Sequence, residues 1–453
     1  MPNSDPTCGR VLIAGTRSGS GKTTVTVAVI AALKARGLPV ASFKCGPDYI
    51  DPMFHRAALG VPAHNLDPFF TDAQGLRDAV AAGARGRLGV IEGVMGYYDG
   101  IGPTTQASTF DVARATASPV VLVIDAQGMA ASVGAVITGF SRFREPSLIR
   151  GVIVNRATTG TYDLVEPLIR DCGLVPLGFL PPQEAVAWPS RRLGLVTPGE
   201  IAWLAPAIAR LAQMAAEHLD LDAIVHLAAS APELPLPAAA PPPSDLPSVT
   251  IAVARDEAFC FCYAETLELF TRLGATIVFF SPLRDARPPQ ADALYLPGGY
   301  PENHAAALAA NQPMRQAIRQ RIGQGWPVIA ECGGFMYLLD CLDGHPMAGA
   351  IGGNAFLTPK LQRFGYVRLT AAGDSLLAAA GETLPAHEFH YYETTANGAA
   401  FTAVKAAGGA AYRCAHATPT MYAGFPHLYL AACPGAAERF IRAAAAARLG
   451  AAA

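Results

Sequence analysis

The chain has 453 residues, of which 51% are apolar and 15% charged, and its formal net charge is −2. This composition excludes a disordered or low-complexity chain, and the near-neutral balance leaves no field to attract nucleic acid or an acidic membrane surface. The length exceeds what one hydrophobic core usually serves, so two domains are expected.

Residues 1–10 lack the apolar stretch of a signal peptide. The run from Pro119 to Phe140 is interrupted by Asp125 and Gln127, so it reads as a buried strand with its following helix rather than a membrane span. A cytoplasmic protein is therefore expected. The nine cysteines are scattered, and their closest pair, Cys260 and Cys262, lacks zinc-ribbon spacing, which suits reduced thiols in a reducing compartment.

The first strand signal, Val11 to Ala14, runs into Gly15-Thr16-Arg17-Ser18-Gly19-Ser20-Gly21-Lys22-Thr23-Thr24 and then a helical stretch, Val25 to Ala35. A strand that feeds a helix through a glycine-rich turn gathers backbone N–H groups and a helix dipole around one point, where a phosphate belongs. Gly19, Gly21, Lys22, Thr23 and Thr24 are the expected nucleotide-binding residues, with Lys22 on the outer phosphates and the Thr23 hydroxyl on Mg²⁺. Five residues rather than the usual four separate Gly15 from Gly21-Lys22, so the motif is a variant.

A second strand, Pro39 to Phe43, delivers Lys44-Cys45-Gly46-Pro47-Asp48-Tyr49-Ile50-Asp51-Pro52 at its carboxyl end, where open α/β sheets bind ligands. Leu88 to Ile91 delivers Glu92-Gly93-Val94-Met95-Gly96-Tyr97-Tyr98-Asp99-Gly100, in which glycines flank carboxylates suited to Mg²⁺. Val120 to Ile124 ends at Asp125, Gly151 to Val154 ends at Asn155, a candidate reader of a nucleotide base, and a further short strand lies near Leu177 to Leu180. Apolar strands alternating with helices predict a doubly wound sheet with its polar residues at one edge. The Gly-x₅-Gly-Lys-Thr loop, with Lys44 after the second strand and Glu92-Gly93 after the third, resembles the dethiobiotin synthetase group of ATPases. That resemblance implies ATP-driven activation of a carboxylate-type oxygen.

The proline-rich segment 232–248 is read as a linker between a first domain, 9–231, and a second, 249–445. The α/β rhythm then restarts: strand Thr250 to Ala254, a helix over Tyr263 to Leu273, and strands Thr276 to Phe280, Ala293 to Leu296 and Val328 to Ala330. The last of these opens into Glu331-Cys332-Gly333-Gly334 and a helix over Phe335 to Leu342. A cysteine between strand and helix occupies a nucleophile elbow. The helix N-terminus should lower its thiol pKa, and the next N–H, that of Gly333, should serve as an oxyanion donor.

The base must come from His387, His390, His416 or His427. Pro297-Gly298-Gly299-Tyr300, Cys332-Gly333-Gly334 and Gly424-Phe425-Pro426-His427 together resemble class I glutamine amidotransferases, which implies His427 as base and Gly299 beside Gly333 at the oxyanion. In that class an acid lies two residues after the histidine, whereas here the position holds Tyr429.

With Lys44 to Asp51, Glu92 to Gly100 and the fused amidotransferase, residues 9 to 445 resemble the cobyrinate and hydrogenobyrinate a,c-diamide synthase family. The resemblance implies two α/β domains, ATP and Mg²⁺ as cofactors, and glutamine and a corrinoid polycarboxylic acid as substrates, in cobalamin biosynthesis. Thr23, Asp48 and Glu92 would hold the metal, and Lys44, Asp48, Tyr49 and Asp99, with the rest of the Pro47 to His55 stretch, would face the substrate. A homodimer is compatible with it. An amidoligase for another tetrapyrrole acid, such as nickel-sirohydrochlorin, is the alternative; a partition-type ATPase switch would have no use for the Cys332 elbow.

Overall fold

The computed structural model of the chain describes residues 9–182, 190–191, 194–195, 204–237 and 246–451. The chain divides into two compact units, residues 1–238 and 239–453. Of the expected linker, residues 232–237 form neither helix nor strand and 238–245 lie outside the described residues.

In the first unit β1 (Arg10–Gly15), β2 (Val40–Cys45), β3 (Ala63–Leu66), β4 (Leu88–Glu92), β5 (Val120–Asp125), β6 (Ile149–Asn155) and β7 (Val175–Leu180) form one sheet in the order β3-β2-β4-β1-β5-β6-β7. Every pair is parallel, so the carboxyl ends of all seven strands share one edge. The residues that follow these ends, the glycine-rich loop after β1, the Gly46 to Ile50 turn and the Gly93 to Gly100 loop, gather there without any one of them being close in sequence to another. A two-strand hairpin, β8 (Ser190–Arg191) with β9 (Gly194–Leu195), also belongs to this unit.

Helix α1 (Lys22–Ala35) fixes the phosphate-loop end of the core. Its Thr-Thr-Val-Thr-Val-Ala-Val-Ile run is a poor helix former by propensity. Val25, Val27, Ala28, Val29 and Ile30 are fully buried, in one core with Val11 and Ile13 of β1 and with Leu211, Met214 and Ala215 of the helix Leu204–His218. Burial on several sides thus decides its conformation.

In the second unit the central sheet contains β10 (Val249–Ala254), β11 (Ala275–Phe280), β12 (Ala293–Leu296), β13 (Val328–Glu331), β22 (His416–Thr418) and β23 (Met421–Gly424), in the order β11-β10-β12-β13-β23-β22. It is parallel up to β23 and closed by antiparallel β22. The sequence reading had not included two further sheets. A small one joins β14 (Cys341–Leu342), β15 (His345–Pro346), β16 (Asn354–Leu357) and β19 (Tyr392–Thr394). A five-stranded antiparallel sheet contains β17 (Arg363–Ala371), β18 (Thr383–His390), β20 (Phe401–Lys405), β21 (Tyr412–Cys414) and β24 (His427–Leu428). Val367, Leu369 and Ala371 of β17 alternate inward and share a core with Val249, Ile251 and Val253 of β10. No described helix is long and apolar enough to cross a membrane.

Candidate active sites

At the first sheet edge Gly21 caps α1 with φ 95°, a left-handed conformation that costs glycine nothing. Any side chain there would also collide with Asn155, whose amide nitrogen would stand 1.9 Å from its Cβ. Asn155 is buried and donates from Nδ2 to the Ser20 carbonyl at 3.0 Å, so it braces the loop from beneath. Arg156 adds a second tether, donating to Asp125 at 2.7 Å and to the Gly19 carbonyl at 3.2 Å. Lys22 folds over the turn, with Nζ 3.2 Å from the Arg17 carbonyl, and burial together with the nearby Lys44 charge lowers its pKa to about 8. Thr23 and Thr24 are half-buried in the first turn of α1, and Gly19 lies at the exposed crest of the loop.

Beside the loop lies a buried cluster that joins β2 to β4. The Thr23 hydroxyl donates to Glu92 Oε1 at 2.6 Å, and Lys44 Nζ lies 2.7 Å from the same oxygen, in contact with Asp51, and 4.0 Å from Asp48. Burial works against the Lys44 ammonium, yet Asp51, Glu92 and Asp48 together hold its pKa well above the ordinary lysine value. Burial and the Asp51 charge raise Asp48 to about 6, and burial raises Glu92 to about 7. Asp48 Oδ1 accepts from the backbone of Ile50 and Asp51, which opens the short helix α2 (Ile50–Phe54). Tyr49 is half-buried at its start, and a π-helical turn, His55–Leu59, follows. His55 within it is wholly buried, with Nδ1 2.7 Å from Ser42 Oγ and Nε2 3.5 Å from Glu92 Oε2. Asp99 is exposed, accepts from the Gly96 N–H at 2.9 Å, and lies near enough for its charge to act on Lys22.

Lys44, Asp48, Glu92, Thr23 and Lys22 are therefore brought together at this edge. Asp51 and His55, which lie in the Pro47 to His55 stretch, complete the cluster from the helical turns that follow Asp48 at a strand's carboxyl end. Among the described residues no three His, Cys, Asp or Glu side chains gather as a ready-made metal cage. The Thr23 hydroxyl, the Glu92 carboxylate and the half-exposed Asp48 do fit Mg²⁺, which takes one or two carboxylates and keeps sites for phosphate and water.

In the second unit Cys332 follows β13 with φ 46° and ψ −102°, a conformation strained for a side-chain-bearing residue. Its N–H is held by the Gly424 carbonyl at 2.8 Å, and its carbonyl starts the helix Gly333–Leu338 by accepting from Met336. That helix is shorter at its far end than expected. The lowered thiol pKa is also corrected: burial, with Glu302 adding repulsion, pushes the Cys332 thiol up, and the Gly333 N–H only partly opposes it. One turn of buried helix does not outweigh the loss of water.

His427 opens β24 and pairs in register with His387 of β18. Its ring lies against the Gly298 backbone so closely that a Cβ there would stand 2.4 Å from Cε1. Burial, with His387 and His390 nearby, lowers its pKa to about 3, which keeps it neutral. Gly299 and Gly333 are in contact, the Gly299 nitrogen lying 3.0 Å from where a Gly333 Cβ would stand. The other histidines are engaged elsewhere: His390 stacks on Phe425 at 4.0 Å and bonds the Tyr392 carbonyl, and His416 bonds the Ala396 carbonyl. His387 packs between the rings of Phe364 and Tyr366. Tyr429 stands edge-on to Tyr263 at 4.9 Å. Glu331, unassigned from sequence, is fully buried; it accepts from Tyr295 Oη at 3.0 Å and from the Leu428 N–H at 3.1 Å, and lies 4.0 Å from His427 Nδ1. A carboxylate closing an apolar strand was its only mark in the sequence.

Comparison with known proteins divides the chain in the same sense. Residues 11–196 match the CobQ/CobB/MinD/ParA nucleotide binding domain, and residues 250–432 match the CobB/CobQ-like glutamine amidotransferase domain. The chain is 40% identical over 397 residues to cobyrinate a,c-diamide synthase of Listeria monocytogenes serotype 4b, covering 85% of this chain and 88% of that protein. It is 41% identical over 390 residues to the enzyme of the same name from Thermoplasma volcanium, covering 84% and 85%. It is 39% identical over 459 residues to hydrogenobyrinate a,c-diamide synthase of Mycobacterium bovis, covering 96% and 98%.

Proposed function

The chain belongs to the cobyrinate and hydrogenobyrinate a,c-diamide synthase family, and on that premise we propose that it converts the a and c carboxylates of hydrogenobyrinate or cobyrinate to amides, using ATP and glutamine, in cobalamin biosynthesis. The observation that carries this reading is the presence in one chain of two complementary sites. One is a phosphate loop beside the Lys44, Asp48 and Glu92 cluster, and the other is a cysteine elbow whose preceding residue, Glu331, lies 4.0 Å from a neutral buried histidine.

A carboxylate is a poor electrophile, and phosphorylation gives it a leaving group. At the first site a substrate carboxylate oxygen attacks the γ-phosphorus of ATP, the bond to ADP breaks, and an acyl phosphate forms. Ammonia then attacks the acyl carbon, phosphate leaves, and the amide remains. Lys22 and the loop amides, with Gly19, Gly21 and Thr24 around them, neutralise charge on the transferring phosphoryl, and Asn155 serves the nucleotide through the loop that it braces. Mg²⁺, held by Thr23, Asp48 and Glu92, would supply further charge neutralisation at the phosphates. Lys44, Tyr49 and Asp99, with Asp48, present the substrate carboxylate.

At the second site the Cys332 thiol passes its proton to neutral His427 while its sulfur attacks the glutamine amide carbon. The Gly299 and Gly333 N–H groups receive the oxyanion. The C–N bond then breaks, with His427 returning the proton to the departing ammonia, and water cleaves the thioester to glutamate. A cytoplasmic enzyme, as a monomer or homodimer, suits this chemistry. The reading is tested by glutamine-dependent ADP release with hydrogenobyrinate, cobyrinate and nickel-sirohydrochlorin as separate substrates. Turnover with one of the first two is expected, and turnover confined to the third would reassign the substrate.

A further inference from the structure

The second site has a cysteine and a histidine but, in the position two residues after the histidine, a tyrosine whose ring is packed on Tyr263 rather than a carboxylate. An imidazole that accepts a proton in a dry pocket becomes a cation with little water to stabilise it. Some group must lower that cost, and it need not come from the same strand.

Resting on the glutaminase reading above, we propose that Glu331, the residue immediately before the nucleophile, is the positioning carboxylate of this site and orients and stabilises His427 from the neighbouring sheet. Three observations converge on it. Glu331 closes β13, so the strand that presents Cys332 also presents the carboxylate on the preceding residue. One carboxylate oxygen, Oε1, accepts the N–H of Leu428, the residue after His427, and so fixes the backbone of β24 that carries the imidazole. The other, Oε2, lies 4.0 Å from His427 Nδ1, an ion-pair distance, and is held there by the Tyr295 hydroxyl at 3.0 Å.

The carboxylate therefore acts twice, as a clamp on the strand and as a negative charge facing the ring nitrogen remote from the proton transfer. In a site this buried a charge at 4.0 Å acts far more strongly than in water. Burial raises Glu331 to about 8, so the resting pocket is close to neutral, and an imidazolium at His427 would favour the carboxylate form of Glu331 over the carboxylic acid. The other titratable groups around the pair include His387 and His390 of β18, both of which disfavour the imidazolium, Tyr295 of β12, Tyr422 of β23, and Glu302 and Glu388, whose charges act on the thiol. Glu331 is the acid among these whose carboxylate lies at ion-pair distance from the His427 ring.

The test uses the full chain and three variants, Glu331→Gln, Glu331→Asp and Cys332→Ala, with ammonia-dependent amidation measuring the amount of active protein. Glu331→Gln should lower kcat for glutamine hydrolysis about 100-fold with little change in KM for glutamine. The pH profile of kcat should change as well, losing the limb that follows ionisation of Glu331. Glu331→Asp, which restores the charge, should recover part of both effects. Wild-type kcat in Glu331→Gln would overturn the proposal, as would a loss of kcat with an unchanged pH profile, which would leave Glu331 a strand clamp alone. If Cys332→Ala kept glutamine-dependent activity, the glutaminase reading itself would fail; if Cys332→Ala were inactive and Glu331→Gln normal, only the present inference would.

Discussion

Both sites have buried centres, yet one holds charge and the other does not. In the first unit Lys44, Asp51 and Glu92 are packed against one another, and the ammonium keeps its charge because three carboxylates surround it. In the second, Cys332 and His427 are each driven towards their neutral forms by the same loss of water, and Glu331, the acid 4.0 Å from the imidazole, is itself raised to about 8. Burial by itself thus does not dictate charge; the partner does. The difference suits the substrates, since one site handles phosphates and carboxylates and the other an uncharged amide.

The sharpest way to break that comparison is to remove one site's chemistry and ask whether the other notices. Cys332→Ala should abolish glutamine-dependent amidation, by at least about 10³-fold, while amidation from ammonium salts at alkaline pH persists. Lys22→Ala should lose about 10²- to 10³-fold with either nitrogen source, because activation itself is impaired. Steady-state ADP release with the two donors reads both, and loss of the ammonia reaction in folded Cys332→Ala would show that the cysteine acts in synthesis or coupling.

Next in size, Asp48→Asn and Glu92→Gln should each depress amidation about 10²-fold with either donor while the protein stays folded by circular dichroism. His427→Ala should abolish glutamine hydrolysis, whereas His387→Ala should leave it measurable; the reverse would move the base to β18. Lys44→Met sharpens the charge argument through stability. It strands Asp51 and Glu92 without their cation, and should cost about 3–5 kcal/mol in denaturant unfolding.

The smallest effect concerns protons. Burial lowers His387 to about 3, so between pH 6.5 and that value the unfolded chain binds a proton that the folded chain refuses. Its contribution to stability is therefore intact above 6.5 and is lost as pH falls, by an amount on the order of 2 kcal/mol by pH 5. Thermal unfolding of wild type and His387→Gln at both pH values should show a shallower pH dependence in the variant.

The phosphate loop, the parallel strands and Cys332 were legible because each is a local pattern: an apolar run, a glycine turn and a following helix. β3 was not, since Ala63-His64-Asn65-Leu66 has no strand periodicity; Asn65 is buried there only because it donates to the Gly46 and Asp48 carbonyls. The antiparallel sheet was missed because its strands are broken by Gly365, Pro385 and charged residues and acquire an apolar face only when paired. Asp51, His55 and Glu331 lie in or beside these local patterns, but their roles depend on which strand lies beside them. Nothing in the sequence around Glu331 announces a partner at 427.

Glu331 belongs to the parallel sheet and His427 to the antiparallel one, so the glutaminase pocket cannot exist until those two layers have docked. During synthesis the nucleophile therefore emerges long before its base, on a strand whose carboxylate has Tyr295 to hold but neither Leu428 nor His427. A half-folded chain is chemically silent toward glutamine, and the onset of hydrolysis during refolding would mark the moment at which the last long-range contact of this unit closes.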